Sequence, residues 1–141
     1  MRAWLLDTGP LVAYLDAADP AHPSVVSRLG QWTGRLLTTC PVITEAMHFV
    51  SAEREGPALL AKFARESGLL VYDWTQPDQL REAAGVMERY ADMPMDFADA
   101  TLVLLADHVN VFEIATLDRR GFSTYRPRRG KTFRLVLDSR G

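Results

Sequence analysis

Five acidic side chains are placed where they could do chemistry together: Asp7, Glu45, Asp96, Asp99 and Asp118. Asp96 and Asp99 head the stretch "DFADATLVLLAD", whose interior from Ala100 to Ala106 carries no charge. Three residues apart on a helix, they share a face. Carboxylates crowded at one partly buried place repel one another, and the pKa of at least one should rise. Such a cluster is costly unless a cation neutralises it. Oxygen-only ligands suit Mg²⁺ or Mn²⁺ better than zinc, and Mg²⁺ keeps several waters and leaves room for phosphate oxygens. A metal held beside a phosphodiester can lower the pKa of a bound water and stabilise charge on the attacked phosphate. The chemistry these acids could support is therefore nucleic-acid hydrolysis. Each also has a purely structural reading. Asp7 could cap a following helix, and Glu45 could favour a helix N-terminal end. Asp96 and Asp99 fit an N-cap and N3 pair, and Asp118 could open a turn.

The elements that must position them alternate along the chain. "AWLLD" (3–7) reads as a buried strand ending in an acid, and "TGPLVAYLD" as a helix with Thr8 as its N-cap and Pro10 in the first turn. A helix follows over about 23–32, then a strand "RLLTT" (35–39). "PVITEAMHFVSAERE" reads as a helix with Glu45 in its first turn, ended by Gly56-Pro57. Residues 58–67 give another helix, 69–74 a strand and 77–91 an amphipathic helix, broken at Met93-Pro94 before the apolar helix begins. "VFEIATLD" (111–118) is a strand ending in an acid, "FSTYR" a short segment and "TFRLVLD" a last strand. Strands alternating with helices predict an α/β fold around a mostly parallel sheet, in which ligands bind beyond the carboxyl ends of the strands. Acids at strand ends can then converge although they lie far apart in sequence.

With 141 residues, 48% of them hydrophobic and 24% charged, the chain fits one ordinary globular domain, residues 1–141. No apolar run approaches the ~20 residues that span a bilayer, and Asp7 breaks what would be a signal peptide's apolar core. The lone Cys40 allows no internal disulfide, which points to a cytoplasmic location. Of the 16 basic residues, eight fall between Thr116 and Gly141, against Asp118 and Asp138 alone. A basic end on an acidic body suggests a polyanion held at one edge. Arg119 and Arg120, directly after Asp118, are the first candidates for phosphate contacts, and Arg126, Arg128, Arg129 and Lys131 for a more distant RNA track. His48, three residues after Glu45, reads as an ordinary polar contact, and Trp4, Trp32 and Trp74 as core.

"LLDTGPLVAYLD", "VITEAMHFV", "DFADATLVLLAD" and "ATLDRRGFSTYR" occur in the order expected of a PIN-domain protein, and the chain resembles the VapC-type toxins of toxin–antitoxin pairs from about Trp4 to Leu137. The resemblance implies a three-layer α/β/α sandwich and a Mg²⁺- or Mn²⁺-dependent endoribonuclease. It matches Asp7, Glu45, Asp99 and Asp118 to the four metal-site acids, and Thr8 and Thr116 to flanking hydroxyls. Asp96 remains either an additional ligand or the helix cap, and Phe122 matches a packing aromatic. The implied partners are RNA, a small cognate antitoxin that occludes the acids, and a second copy in a homodimer. A response-regulator receiver fits poorly, because Leu6 rather than an acid precedes Asp7 and Lys131 lies before the last strand. A haloacid-dehalogenase-type phosphatase would need an acid where Gly9 stands. A PIN-type scaffold that has lost catalysis is the non-enzymatic alternative.

Overall fold

Every strand residue of "AWLL" is buried, which is possible only if both faces of the strand are covered. The computed structural model, which describes residues 2–127 and 130–138, shows how. The strands are β1 (Ala3–Leu6), β2 (Arg35–Thr39), β3 (Leu70–Tyr72), β4 (Glu113–Ala115) and β5 (Arg134–Leu135). They form one five-stranded sheet in the order β3-β2-β1-β4-β5, with every pairing parallel. The helices are α1 (Thr8–Leu15), α2 (His22–Gln31), α3 (Cys40–Val50), α4 (Gly56–Ser67), α5 (Pro77–Arg89), α6 (Phe97–Val109) and α7 (Arg119–Thr124).

Because side chains alternate across a strand, β1 feeds two cores. Ala3 and Leu5 pack with α5 and α6 residues such as Ala83, Val86, Leu102 and Leu105. Trp4 and Leu6 pack on the other face with Leu11, Val25, Leu29, Ala46 and Leu60. The result is the α/β/α sandwich expected. Helix α6 is buried on nearly all sides, Ala100 through Ala106 without interruption, and ends at Asn110 in the left-handed conformation. Among the described residues no helix is long and apolar enough to cross a membrane.

The chain winds from β1 outward through β2 to β3, then returns to the other side of β1 for β4 and β5. The winding direction reverses between β1 and β4, and their carboxyl ends open a crevice there. Asp7 leaves β1 and Thr116 leaves β4 at this point, and the Asp7 N–H donates to the Ala115 carbonyl at 3.0 Å.

Several boundaries differ from the sequence reading. The cap of α1 is Asp7, with Thr8 the first helical residue. Helix α3 stops at Val50, and Gly56-Pro57 starts α4 instead of ending α3. Proline is tolerated in a first helical turn, where no N–H is needed. Gly56 is required for another reason: a Cβ there would lie 1.9 Å from the Val50 carbonyl oxygen. Gly56→Ala should therefore cost about 2–3 kcal/mol by overpacking against backbone, read as a lower urea midpoint. Because α3 begins at Cys40, Glu45 sits in its second turn. The strand predicted over 69–74 is confined to Leu70–Tyr72, since Trp74 turns the chain with φ 54. β4 ends at Ala115, short of Asp118, and "RRGFST" forms α7.

Candidate metal centre

Asp7 is buried at the end of β1, and both its oxygens are engaged. Oδ1 accepts from the Thr8 N–H at 2.8 Å, and Oδ2 accepts from the Thr116 hydroxyl at 2.7 Å. Thr116 Oγ1 in turn accepts the Asp118 N–H at 2.9 Å, so one hydroxyl ties the ends of β1 and β4 together. Asp118 caps α7, its Oδ1 accepting from the Gly121 N–H at 2.9 Å. Thr8 donates from its hydroxyl to Glu45 Oε1 at 2.6 Å, linking α3 to the same corner. Asp96 caps α6: its Oδ1 accepts the Asp99 N–H at 2.8 Å while Asp99 Oδ2 accepts the Asp96 N–H at 3.2 Å, a reciprocal capping box.

The structural reading holds for three of these acids. Asp7, Asp96 and Asp118 are helix caps, and they cap three helices whose first turns meet at one crevice. The positive N-terminal ends of α1 and α6 offset part of the repulsion such a gathering creates. The remaining repulsion appears in proton affinity. Burial first, then the charges of Asp96 and Asp118, hold Asp7 up at about 6, even though its bonds from Thr116 and Thr8 favour the carboxylate. Burial and then the charges of Asp96 and Asp7 hold Asp99 up at about 8. Asp7, Asp96, Asp99 and Asp118 therefore feel one another across the crevice. Glu45 is joined to them through Thr8.

Ribonuclease VapC26 of Mycobacterium tuberculosis (strain ATCC 25618 / H37Rv) is 31% identical over 134 residues, spanning 94% of this chain and 98% of that protein. The chain belongs to the VapC-type PIN toxins. The fold agrees: the crystal structure of Mycobacterium tuberculosis VapC20, a sarcin-ricin loop cleaving toxin, superposes with a TM-score of 0.72 at 20% identity, over 84% of this chain and 92% of that one. No family model matches the sequence.

In this VapC-type chain the candidate phosphate-binding residues among the described ones are placed differently from one another. Arg120 is exposed beside Asp118 at the start of α7. Arg119 is engaged with Asp138 at 3.0 Å. Arg126 folds back, its Nη1 donating to the carbonyls of Ser123, Thr124 and Tyr125 at the end of α7. Lys131 lies over the Phe112 ring, beside the amino end of β4 and away from the acids. Arg128 and Arg129 lie outside the described residues. The clustering of the others in sequence could not show this, because Arg119 and Arg120 open α7 beside the acids while Lys131 lies over Phe112 at the amino end of β4.

A groove of about 560 Å³ adjoins the acids, with Glu45 and Asp96 on its wall beside Thr44, His48, Thr75 and Phe97. Phe122 is fully buried and packs edge-on to Phe133 and Tyr125. Two residues at the site carried no signal in the sequence. Gly121 leaves space for Asp118: a Cβ there would lie 2.4 Å from Asp118 Oδ2 and 3.0 Å from Tyr125 Cε2. Tyr125 is fully buried, its hydroxyl has no hydrogen-bond partner, and it lies within the field of Asp99, Asp118, Asp96 and Asp7. A glycine three residues after the fourth acid is the one pattern that could have pointed there.

Proposed function

We propose that this chain is a Mg²⁺- or Mn²⁺-dependent endoribonuclease, the toxin of a toxin–antitoxin pair. The observation that carries the reading is the convergence of Asp7, Asp96, Asp99 and Asp118 at the sheet's switch point, where Asp7 and Asp99 hold their protons unusually tightly. A cation there would lower both affinities, and the donor set is oxygen only, which fits a hard divalent ion. Among the described residues no three His, Cys, Asp or Glu side chains are arranged to hold a metal by themselves. Mg²⁺ needs one or two carboxylates and keeps water for its other positions, so Asp7 and Asp99 suffice as direct holders, with Asp118, Glu45 and Asp96 acting around them. Bound, the ion supplies a water activated for attack and neutralises charge gathering on the phosphate.

The protein's own contribution is geometric. Thr116 and the Thr8 N–H fix both oxygens of Asp7, and the buried helix α6 holds Asp99 rigidly. Thr8 directs Glu45 toward the same corner, where its carboxylate can take a proton from an attacking water. Among the described residues, exposed Arg120 beside Asp118 is placed to meet the phosphate chain, and the groove along Glu45, Asp96 and Phe97 gives a flanking nucleotide a place to lie.

In this reading the proposed unit is a single PIN domain whose partners are RNA, a small antitoxin that covers the acids, and a second copy. Exposed Phe49 on α3 and Leu59 on α4 are apolar side chains that a homodimer would bury. Purified chain free of antitoxin should cleave RNA with Mg²⁺ or Mn²⁺ and stop with EDTA, checked by mapping RNA 5′ ends across a broad substrate panel. No cleavage across that panel with either metal would leave the inert-scaffold reading.

A further inference from the structure

Tyr125 follows α7, and its ring is clamped edge-on by Tyr90 and Phe122, each with its centroid 5.1 Å away. Tyr90 is itself held in place, its hydroxyl accepting the Arg126 N–H at 2.7 Å. The clamp sets the direction of the Tyr125 phenol. Its Cε2, the carbon next to the one bearing the hydroxyl, and Asp118 Oδ2 both lie within 3.0 Å of one point, the position a Cβ on Gly121 would take. The edge of the ring that carries Cε2 and the Asp118 carboxylate thus flank the space that glycine leaves, and the phenol lies within the field of Asp99 and Asp118. Asp118 Oδ1 is taken by the Gly121 N–H, and Oδ2 is the oxygen that borders the space beside Gly121.

A buried hydroxyl without a partner is uncommon and calls for an explanation. Among the described residues the indole nitrogens of Trp4 and Trp74 share this condition, but Tyr125 is the one placed against the acids. A phenol keeps its proton at neutral pH, so the hydroxyl is available as a donor.

Resting on the reading of these acids as the nuclease centre, we infer that Tyr125 is a positioning residue: when a cation draws Asp118 into its working orientation, the Tyr125 hydroxyl donates to Asp118 Oδ2 and fixes that carboxylate. The hydroxyl is idle in the free protein and engaged in the loaded one. Two consequences follow that a packing role would not produce. Removing the oxygen should not weaken the free fold, and the loss should depend on Asp118.

The test is Tyr125→Phe in the full chain, beside wild type, Asp118→Asn and the double variant. Thermal melting without divalent ions should show Tyr125→Phe at or above the wild-type midpoint. Titrating Mn²⁺ against the melting midpoint should require about tenfold more metal for half the effect, within the range seen when groups supporting a metal ligand are removed. In RNA cleavage kcat should fall by about tenfold while KM holds within twofold. In the Asp118→Asn background the added Phe should change the Mn²⁺ titration no further. Wild-type Mn²⁺ response and kcat in Tyr125→Phe would overturn the inference and leave the nuclease reading intact. So would a lowered melting midpoint without divalent ions, which would assign the side chain to packing, or a wild type whose melting Mn²⁺ does not move. If wild type responds to Mn²⁺ yet cleaves no RNA, the nuclease reading fails and the Mn²⁺ titrations alone decide Tyr125.

Discussion

Asp7→Asn is expected to lose RNA cleavage by about 10³-fold or more, roughly 4 kcal/mol of transition-state stabilisation, and yet to melt higher than wild type at pH 7.5 without divalent ions. Both effects have one origin. Asp7 is buried, and its folded-state pKa stands at about 6, above the ordinary carboxylate value. The sign follows directly. An acid whose pKa is raised on folding favours the folded state while it is protonated. That contribution is complete below the unfolded pKa and disappears as pH rises through about 6. Above it, ionised Asp7 burdens the free fold by about 3 kcal/mol on conversion of the pKa difference. Asparagine carries no charge at any pH and removes this burden. It keeps an acceptor for the Thr8 N–H but presents an amide to the Thr116 hydroxyl, so part of the gain is returned. The advantage of the variant should shrink from pH 7.5 to pH 4.5, where wild-type Asp7 is largely protonated. Adding Mg²⁺ or Mn²⁺ should stabilise wild type by mass action and leave Asp7→Asn almost unmoved. Melting curves at the two pH values, with and without metal, check each part. A variant less stable than wild type at pH 7.5 would mean that Asp7 serves mainly as the cap of α1.

What the sequence could and could not convey follows from how each element is stabilised. "AWLL" is buried on both faces and its unbroken apolar run marks it, while "RLLTT" is buried from Leu36 to Thr39 and is marked by its leucine pair and β-branched threonines. "ATLVLLA" is buried all round, and its length makes it a helix. The gathering of Asp7, Asp96, Asp99 and Asp118 was legible because parallel topology sends strand ends to one edge. Local patterning fails where a distant contact decides. Gly56-Pro57 looks like a helix end, and only the approach of the Val50 carbonyl reveals it as a beginning. β5 is two residues long, because Glu113 and Ile114 are its only paired partners on β4. The basic tail reads in sequence as two phosphate contacts, Arg119 and Arg120, and a more distant track, but Arg119 and Arg126 are occupied locally and Lys131 lies at the amino end of β4. Tyr125 has no neighbour in sequence that marks it, since its place beside Asp118 depends on the turn of α7 and on Gly121 being small.

Asp96 and Asp99 form a reciprocal pair, so replacing each by asparagine separates cap from ligand. At position 96 asparagine is as good an N-cap as aspartate, and its side-chain oxygen can still accept the Asp99 N–H. Asp96→Asn should therefore keep the fold and α6, and remove one of the two charges that hold Asp99 up at about 8. With the repulsion eased, Asp99 ionises at lower pH, and the pH at which cleavage becomes half-maximal should fall. The loss of rate at pH 8 should be about tenfold, as for groups that act through a ligand. At position 99 the outcome should be harsher. Asp99 is the half-buried acid that α6 carries into the crevice, where burial and the charges of Asp96 and Asp7 favour its neutral form. Asparagine mimics that neutral form, so Asp99→Asn should fold and melt like wild type at pH 6 while its cleavage falls by about 10³-fold, some 4 kcal/mol. Cleavage rates from pH 5.5 to 9 for wild type and both variants check this division. Equal losses at positions 96 and 99 with unchanged pH profiles would show that the capping box acts as one unit, and would make Asp96 a ligand on the same footing as Asp99.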